Sequence, residues 1–500
     1  MSVKVCDALC GSGKTVSCIN MMNSDTEHKY IFITPYLTEV ERIKNSCIGR
    51  GFVTPQKSYD NSFSKIKDLP RLLEAGRNIV STHALFSTYT EEIKDLIRKQ
   101  GYILVLDEVI DLFQPVDIDR GDIEFLKRNN IATEDGDSII WEDDDYNGSA
   151  FSDVMRLSKS RDMINYDGSF YFWSLQIDAF KCFADVYVLT YMFEYQFLKY
   201  FFEVNSIQYE LIGTTKKNGT YQFCPLSEMD RKKDLKSKIH IEQKSKYNEI
   251  GQENFSLSSG WFARAVQEEG QPKLALLKNN LYNIFRHQTK TRSGKMWTTL
   301  NHYRKYIKGA GYAMDFITFN KRASNDFADR HCLAYCLNLY MMPWMKNYLL
   351  RIGAKDVNQD MWALSVLIQW IFRSAIRNGD DVWIYVPSKR MRFLLTEWLE
   401  NLSKGEDLKE IKYRPDKAFK CQEAAYMLDK SIKKKKRREM MKTCVNCYYY
   451  DKCGEEDKAH GRCEYYDSIY DNGKTVRKEY EESLTERVET YQEIVDELNS

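Results

Sequence analysis

Two short segments near the amino terminus hold the residues whose types and spacing could do chemistry. The first segment is Gly11-Ser12-Gly13-Lys14-Thr15. Its glycines let the backbone curl so that successive N–H groups point at phosphate oxygens. Its lysine adds a positive charge beside the β- and γ-phosphates, and its threonine hydroxyl can ligate Mg²⁺. The spacing therefore predicts a phosphate-binding loop, with an ordinary glycine turn as the alternative.

The second segment is the acidic pair Asp107-Glu108, which directly follows the apolar run 102–106. At the end of a buried strand, Asp107 could hold metal-bound water and Glu108 could polarise the water that attacks a phosphate. The alternative is a surface pair that caps a helix. Because a phosphate-binding loop precedes it in the chain, we interpret the pair as catalytic, together with Lys14.

Short apolar runs that are typical of buried strands precede both segments and recur along the first part of the chain. The residues between them place apolar side chains at helical spacing, as Leu37, Val40 and Ile43 do. Strands that alternate with helices make a parallel sheet, with ligands bound at the carboxyl ends of the strands. We therefore predict an α/β fold. The predicted strands are Val3–Cys6, Tyr30–Ile33, Asn78–His83, Tyr102–Leu106 and Val186–Thr190.

The order of these motifs resembles the amino-terminal RecA-like domain of superfamily 2 (DEAD/DEAH-like) helicase ATPases, most of all those encoded by bacteriophages and prophages. The resemblance rests on the glycine-rich loop, then Thr34-Pro35, then Thr82-His83, then the acidic pair and finally Thr190. It implies that the Thr-Pro and Thr-His pairs contact a nucleic-acid backbone. It also implies that Thr190 couples nucleotide hydrolysis to domain movement.

A further group of polar residues precedes the predicted strand 382–387. Gln369, Arg373 and Arg377 recur every four positions, so on a helix they share one face. This face resembles the sixth motif of superfamily 2, which implies that one arginine reaches the γ-phosphate across the cleft between two RecA-like domains. The spacing leaves open which arginine does so, and a solvated basic helix face is the alternative. Arg322 lies where the resemblance implies another nucleic-acid contact.

The chain is long enough to form more than one hydrophobic core. We predict a first RecA-like domain at 1–204, which contains an insertion at about 112–180. A charged connector at 205–255 and a second RecA-like domain in tandem at 256–430 follow. Residues 431–500 are predicted to form a small cysteine-rich extension that begins with a basic run and ends in an acidic helical tail.

The extension carries cysteines whose spacing could close a tetrahedral metal site. Zn²⁺ is the first choice and an iron–sulfur cluster the second, and His460 could replace one ligand. Four unligated cysteines are the alternative. The basic run directly before them could neutralise phosphates, so the extension could contact nucleic acid or dock a protein partner. The cysteines are Cys444, Cys447, Cys453 and Cys463.

Composition limits the class of protein only in part. Lys and Arg (73) nearly balance Asp and Glu (72), so any basic surface must be local. No apolar run is long enough to cross a bilayer, and the glycine-rich loop begins where a signal-peptide cleavage site would lie. We expect a cytoplasmic protein, in the host cytoplasm if phage-encoded. The aromatic run 170–173 in the insertion could stack bases, but core packing is the preferred interpretation.

Together these features predict an ATP hydrolase that is an ATP-dependent nucleic-acid helicase or translocase. It would use ATP and Mg²⁺ to move on or unwind DNA in preference to RNA, without contacting a membrane. One alternative is a DNA-packaging terminase-type motor, which shares the loop and the acidic pair and would show nuclease activity with Mn²⁺. Another is a nucleotide-gated switch without translocation, which would lack hydrolysis stimulated by nucleic acid.

Overall fold

In the computed structural model of the chain, the strands form three sheets, and residues 1–413 form one compact unit. The described residues are 1–57, 65–143, 145–168, 170–232, 234–288, 294–320 and 326–414. The strands are β1 (Ser2–Asp7), β2 (Tyr30–Thr34), β3 (Ile79–Thr82), β4 (Ile103–Asp107), β5 (Phe113–Pro115), β6 (Ala132–Asp135), β7 (Ser138–Trp141), β8 (Arg161–Tyr166), β9 (Phe170–Leu175), β10 (Asp185–Thr190), β11 (Glu210–Lys217), β12 (Thr220–Pro225), β13 (Ile239–Ile241), β14 (Lys295–Thr298), β15 (Cys332–Tyr335) and β16 (Val382–Tyr385).

Helices connect most of these strands and cover the faces of the two larger α/β layers. Within the described ranges, none of them is long and apolar enough to cross a membrane. The helices are α1 (Lys14–Ser24), α2 (Leu37–Ser46), α3 (Lys65–Glu74), α4 (His83–Phe86), α5 (Glu91–Gln100), α6 (Arg120–Arg128), α7 (Ser152–Ser158), α8 (Asp178–Lys181), α9 (Phe197–Val204), α10 (Leu235–Lys238), α11 (Ser245–Asn248), α12 (Ser259–Gln267), α13 (Pro272–Gln288), α14 (Arg304–Ile307), α15 (Pro343–Arg351), α16 (Gln359–Ile371) and α17 (Lys389–Lys404).

The first sheet has the strand order β12-β11-β1-β10-β4-β2-β3. All of its pairs are parallel except the edge pair of β11 and β12. Strand β10 lies between β1, which enters the glycine-rich loop, and β4, which carries the acidic pair. This is the RecA-like arrangement that the resemblance implies. The loop and the acidic pair therefore meet at the carboxyl edge of one sheet.

The second sheet, in the order β13-β16-β15-β14, is entirely parallel. Its strands are buried on both faces because α16 and α17 pack on one side and α12 and α13 on the other. Two α/β domains in tandem, each with a parallel sheet, confirm the predicted fold class. The small cysteine-rich extension of that prediction lies outside the described residues.

The predicted connector at 205–255 is different in the structure. Strands β11 and β12 extend the first sheet as a hairpin, and β13 already belongs to the second sheet. The charge of this region hid the strands from sequence reasoning, because Lys216 and Lys217 lie at the exposed end of the hairpin while Thr214 and Thr215 are buried. The covalent link between the two sheets is therefore the short stretch 226–238.

The insertion forms a third, antiparallel sheet in the order β5-β9-β8-β7-β6, between β4 and β10 of the chain. Its aromatic residues Tyr171, Phe172 and Trp173 are buried, as expected for core packing. The rings of Trp344 and Tyr348 on α15 lie 4.9 and 4.8 Å from the Phe172 ring, measured between centroids. The insertion therefore shares a hydrophobic core with a helix of the second domain.

A buried polar cluster also joins the two domains. Asp407, only 2% exposed, follows α17 of the second domain. It accepts a hydrogen bond from the hydroxyl of Tyr191, which directly follows β10, at 3.0 Å, and forms an ion pair with Arg231. The indole N–H of Trp398 donates to the same hydroxyl at 3.0 Å. The end of β10 is therefore tied to the last helix of the second domain.

This cluster predicts a stability difference between two neighbouring acidic residues. Asp407→Asn should lower the free energy of unfolding by about 3 kcal/mol, because it removes one partner of a buried ion pair. Glu406→Gln is the matched control, since Glu406 pairs with Lys409 on the surface and its substitution should leave the free energy of unfolding close to that of the wild type. Urea denaturation measures both. If the two substitutions change the free energy of unfolding equally, Asp407 does not stabilise the contact between the domains as described.

Candidate active site

The glycine-rich loop connects β1 to α1 through two left-handed backbone positions. Gly11 has φ 72° and Gly13 has φ 89°, a region in which an L side chain is strained. Gly13 is also the N-cap of α1, so the N–H groups that follow it lack partners within the helix. The loop therefore presents unpaired N–H groups and the positive end of a helix dipole at one place, which suits a phosphate.

The Lys14 side chain folds back over the loop that precedes it. Its Nζ donates to the carbonyl oxygens of Ala8 at 2.6 Å and of Leu9 at 3.2 Å. Burial of the side chain fixes the position of the ammonium group. Since an ammonium group has three N–H donors, one remains for an anion in the loop.

The acidic pair lies beside the loop at the end of β4. The Thr15 hydroxyl donates to a carboxylate oxygen of Asp107 at 3.4 Å. Burial, with a smaller contribution from the charge of Glu108, raises the pKa of Asp107 to about 7. The Asp107 carboxyl and the neighbouring Thr15 hydroxyl are together a suitable pair of ligands for a divalent cation. A bound cation would favour the ionised form of the carboxyl, which burial alone disfavours. Thr15 and Asp107 therefore fit a Mg²⁺ ion.

Glu108 has an unusual backbone for a residue with a side chain. Its φ is 66°, in the left-handed region, while its N–H donates to the carbonyl of Leu189 on β10 at 3.0 Å. Such a conformation costs roughly 1–2 kcal/mol for a non-glycine residue. The hydrogen bond to β10 therefore holds the backbone of Glu108 in this conformation. The Glu108 side chain lines the same cavity as Lys14.

The second domain contributes three polar residues and Phe372 to this cavity, although the predicted single helix was wrong. Helix α16 ends at Ile371, where the hydroxyl and N–H of Ser374 both donate to the Ile371 carbonyl, at 2.6 and 3.0 Å. Arg377 lies in the 3₁₀ helix that follows. Gln369, Arg373 and Arg377 thus come from the end of a helix, a turn and a 3₁₀ helix, and all three still line the cavity.

Arg373 is the most buried of these residues, with 4% of its surface exposed. Its Nη1 donates to the carbonyl of Phe319 at 3.3 Å, and its Nε has no hydrogen-bond partner among the described residues. Burial lowers the pKa of Arg373 to about 10, and Tyr36 and Glu108 oppose this shift. A guanidinium with unused N–H capacity therefore faces the acidic pair of the other domain.

The cavity between the domains has a volume of about 240 Å³. Both domains line it, and the lining includes charged side chains of both signs, which suits a charged small molecule. The lining residues are Cys10, Gly11, Gly13, Lys14, Thr15, Val16, Thr34, Pro35, Glu39, Arg42, Asp107, Glu108, Tyr221, Gln369, Phe372, Arg373 and Arg377.

The described residues that the resemblance assigns to nucleic acid are buried or partly buried. Thr34 is buried and lines the cavity together with Pro35. His83 is buried, and its Nε2 lies 2.9 Å from the carbonyl oxygen of Asp107. It therefore contacts the backbone of the acidic pair. Thr82 ends β3 and is partly buried. Arg322 and the four predicted metal-binding cysteines lie outside the described residues.

Thr190, the predicted coupling residue, is fully buried at the end of β10. Its hydroxyl donates to the side-chain oxygen of Gln196 at 3.0 Å, and the Gln196 amide donates to the Tyr191 carbonyl at 2.6 Å. Asp7, at the end of β1, accepts from the N–H groups of Met192 and Phe193 at 2.6 and 3.0 Å. The segment after Thr190 is therefore bonded to the strand that enters the glycine-rich loop.

Sequence reasoning missed three residues that contact the loop from the hairpin of β11 and β12 and from the stretch after it. They are Thr214, Tyr221 and Lys232. The dipeptide Asn218-Gly219 was the available signal, because both residues adopt positive φ values in the turn of this hairpin. That turn places β12 against α1, next to the loop.

The fold and cavity define a two-domain α/β protein with a phosphate-binding loop, and comparisons with known proteins place it in a family. The chain is 39% identical over 414 residues to the SPbeta prophage-derived uncharacterized protein YonV of Bacillus subtilis (strain 168), which covers 80% of this chain and 99% of that protein. Residues 233–399 match the model of the YonV C-terminal Rossmann-like domain. The chain therefore belongs to the YonV family, which confirms the predicted kinship with prophage proteins.

Solved structures of helicases show a distant similarity. An XPD helicase is 10% identical with a TM-score of 0.39, over 81% of this chain and 95% of that one. Xpd4 of S. tokodaii is 12% identical with a TM-score of 0.43, over 79% of this chain and 93% of that one. At these values the similarity does not identify an activity.

The burial of Arg373 predicts that the residue costs stability in the absence of an anion. Arg373→Met should raise the free energy of unfolding by about 1 kcal/mol or more, because it removes a desolvated charge whose Nε has no hydrogen-bond partner in the described part of the chain. Arg351→Met is the control, since Arg351 is more exposed and pairs with Asp137 at 3.1 Å. This variant should be slightly less stable than the wild type. Urea denaturation without nucleotide measures both. A clear destabilisation by Arg373→Met would show that Arg373 is a structural residue.

Proposed function

We propose that this protein is an ATP hydrolase that acts as an ATP-dependent nucleic-acid helicase or translocase. The observation that carries the proposal is the composition of the cavity. Lys14, Asp107 and Glu108 of the first domain share it with Arg373 and Arg377 of the second. The negative charge of a bound nucleoside triphosphate would compensate the positive charge of Lys14, Arg373 and Arg377. Its hydrolysis would change the charge that attracts the two domains to each other.

The residues of the first domain have separate tasks in hydrolysis. The N–H groups of the loop and the Lys14 ammonium bind the β- and γ-phosphates. Thr15 and Asp107 would hold Mg²⁺, which neutralises phosphate charge when it is bound. Glu108 orients a water molecule for attack on the γ-phosphate and accepts its proton. The left-handed backbone of Glu108 holds this carboxylate at the edge of the sheet, next to the loop.

An arginine of the second domain stabilises the negative charge that grows on the transferred phosphoryl group. Arg373 is the better candidate, because it is buried, its Nε is without a partner among the described residues and its charge interacts with that of Glu108. Such an arginine contributes about a thousandfold or more in rate. Because it belongs to the other domain, the charge of the bound nucleotide and the closure of the cleft are coupled.

Coupling to movement would use the segment that follows β10. Asp7 bonds this segment to the strand that enters the loop, and Thr190 holds Gln196 within the segment. Tyr191 bonds the segment to Asp407 near α17 of the second domain. A change at the loop therefore has a bonded route to the second domain. The order of motifs along the chain, which resembles that of superfamily 2, supports nucleic acid as the track on which the domains move.

Steady-state ATP hydrolysis with and without nucleic acids tests this proposal. The wild type should hydrolyse ATP faster when single-stranded or forked DNA is added than when RNA is added. Glu108→Gln should lower the stimulated rate at least about a hundredfold, because it removes the proton acceptor. Glu41→Gln, an exposed glutamate on α2 that pairs with Lys44, should leave the rate unchanged.

Other outcomes separate the alternatives. Hydrolysis that responds to no nucleic acid would contradict the helicase and favour an ATPase or switch gated by a protein. Nuclease activity with Mn²⁺ would identify a terminase-type motor. A Glu108→Gln variant with the wild-type rate would contradict the assignment of the catalytic carboxylate.

A further inference from the structure

The hairpin of β11 and β12 and the stretch after it hold the outer side of the phosphate-binding loop. The Thr214 hydroxyl donates to the Ser12 carbonyl at 2.9 Å, in a buried position. The ammonium group of Lys232, which lies after the hairpin, donates to the Gly11 carbonyl at 3.2 Å. These bonds engage carbonyl groups of the loop and none of its N–H groups, so the hairpin supports the loop from its carbonyl side.

Tyr221 on β12 makes the closest approach of this hairpin to the loop. A Cβ atom added to Gly13 would lie 2.6 Å from both Cε1 and Cγ of the Tyr221 ring, so only a glycine permits this approach. The amide of Asn20 on α1 donates to the Tyr221 carbonyl at 2.8 Å, which fixes β12 against the helix. The ring is therefore held over the last residue of the loop.

The same ring lines the cavity, beside the first turn of α1. Val16, which directly follows Thr15, also lines the cavity and is 39% exposed. Phosphates that bind the N–H groups at the start of α1 leave the nucleoside to extend past this first turn. The ring of Tyr221 and the side chain of Val16 are the apolar surfaces of the cavity there, and Lys216 places its ammonium 5.3 Å from the ring centroid.

We propose that Tyr221 is the nucleoside platform of the site, on which the base of a bound nucleotide stacks. The inference rests on the proposed function, because it needs a nucleotide in the loop, and it adds the residue that distinguishes a nucleotide from a bare polyphosphate. An aromatic ring stacks any base through its π-face. The platform lies on a hairpin that follows the motifs of the first domain in the chain.

Calorimetric titration of the full-length protein with ADP and with pyrophosphate, both with Mg²⁺, tests this proposal. Both ligands carry two linked phosphates and neither has a γ-phosphate, so the nucleoside, which replaces one ionisable oxygen of pyrophosphate, is the main difference between them. Tyr221→Ala should weaken the binding of ADP about tenfold and leave that of pyrophosphate within about twofold. Tyr221→Phe keeps the ring and should bind both ligands as the wild type does.

Phe223→Leu is the matched control for the integrity of the hairpin. Phe223 lies on the same strand, and its ring stacks on Tyr187 with centroids 5.9 Å apart, outside the cavity. This variant should bind ADP as the wild type does. If it loses ADP affinity as Tyr221→Ala does, the effect belongs to the hairpin as a whole and the platform is wrong.

The remaining outcomes each decide the question. Equal losses for ADP and pyrophosphate in Tyr221→Ala would show that the ring supports the loop only, and no loss would show that the base lies elsewhere. Tighter binding of both ligands would show that the ring obstructs the loop. Each of these results overturns the platform while leaving the phosphate-binding loop intact. A wild type that binds neither ligand would instead overturn the proposed function, and the platform with it.

Discussion

The arrangement of the site depends on one electrostatic constraint, which is that positive charges from two domains meet in one partly buried cavity. Lys14 is held by carbonyl groups of its own loop. Arg373 is desolvated, and its Nε finds no hydrogen-bond partner within the described ranges. The acidic pair offsets these charges only in part, because burial keeps Asp107 reluctant to ionise. A polyphosphate with its metal ion would neutralise the cavity and draw the two domains together. The free energy of binding is thereby linked to the relative position of the domains.

This constraint explains why the domains are also joined at two places away from the cavity. At the first place, α15 packs on Phe172 of the insertion. At the second, Asp407 is bonded to Tyr191 and Arg231. Mutually repelling cations would otherwise favour an open cleft. The two connections keep the cavity assembled, so that small changes at the loop can reach the second domain through bonded groups.

Much of the first domain could be predicted from the sequence, because buried parallel strands are apolar runs and their carboxyl ends carry the chemistry. The glycines of the loop and the acidic pair stand directly after such runs. The helix break after Ile371 could not be predicted, since it depends on where Ser374 finds a hydrogen-bond acceptor. The sequence predicts a connector where the hairpin that carries Tyr221 lies, because the charged end of the hairpin masks the pattern of a half-buried strand. Pattern reasoning thus found the residues that we propose to act on phosphate, and it missed those that only the packing of the fold brings to the same cavity.

The most direct test of a site shared by two domains is the single-turnover rate of ATP hydrolysis by Arg373→Ala, measured with ADP affinity in parallel. We expect the rate to fall about a thousandfold while the affinity for ADP stays within about threefold, because the arginine acts on charge that develops during the reaction. Arg351→Ala, in the same domain but paired with Asp137, should keep the wild-type rate. A wild-type rate in Arg373→Ala would contradict the account and confine hydrolysis to the first domain or to Arg377.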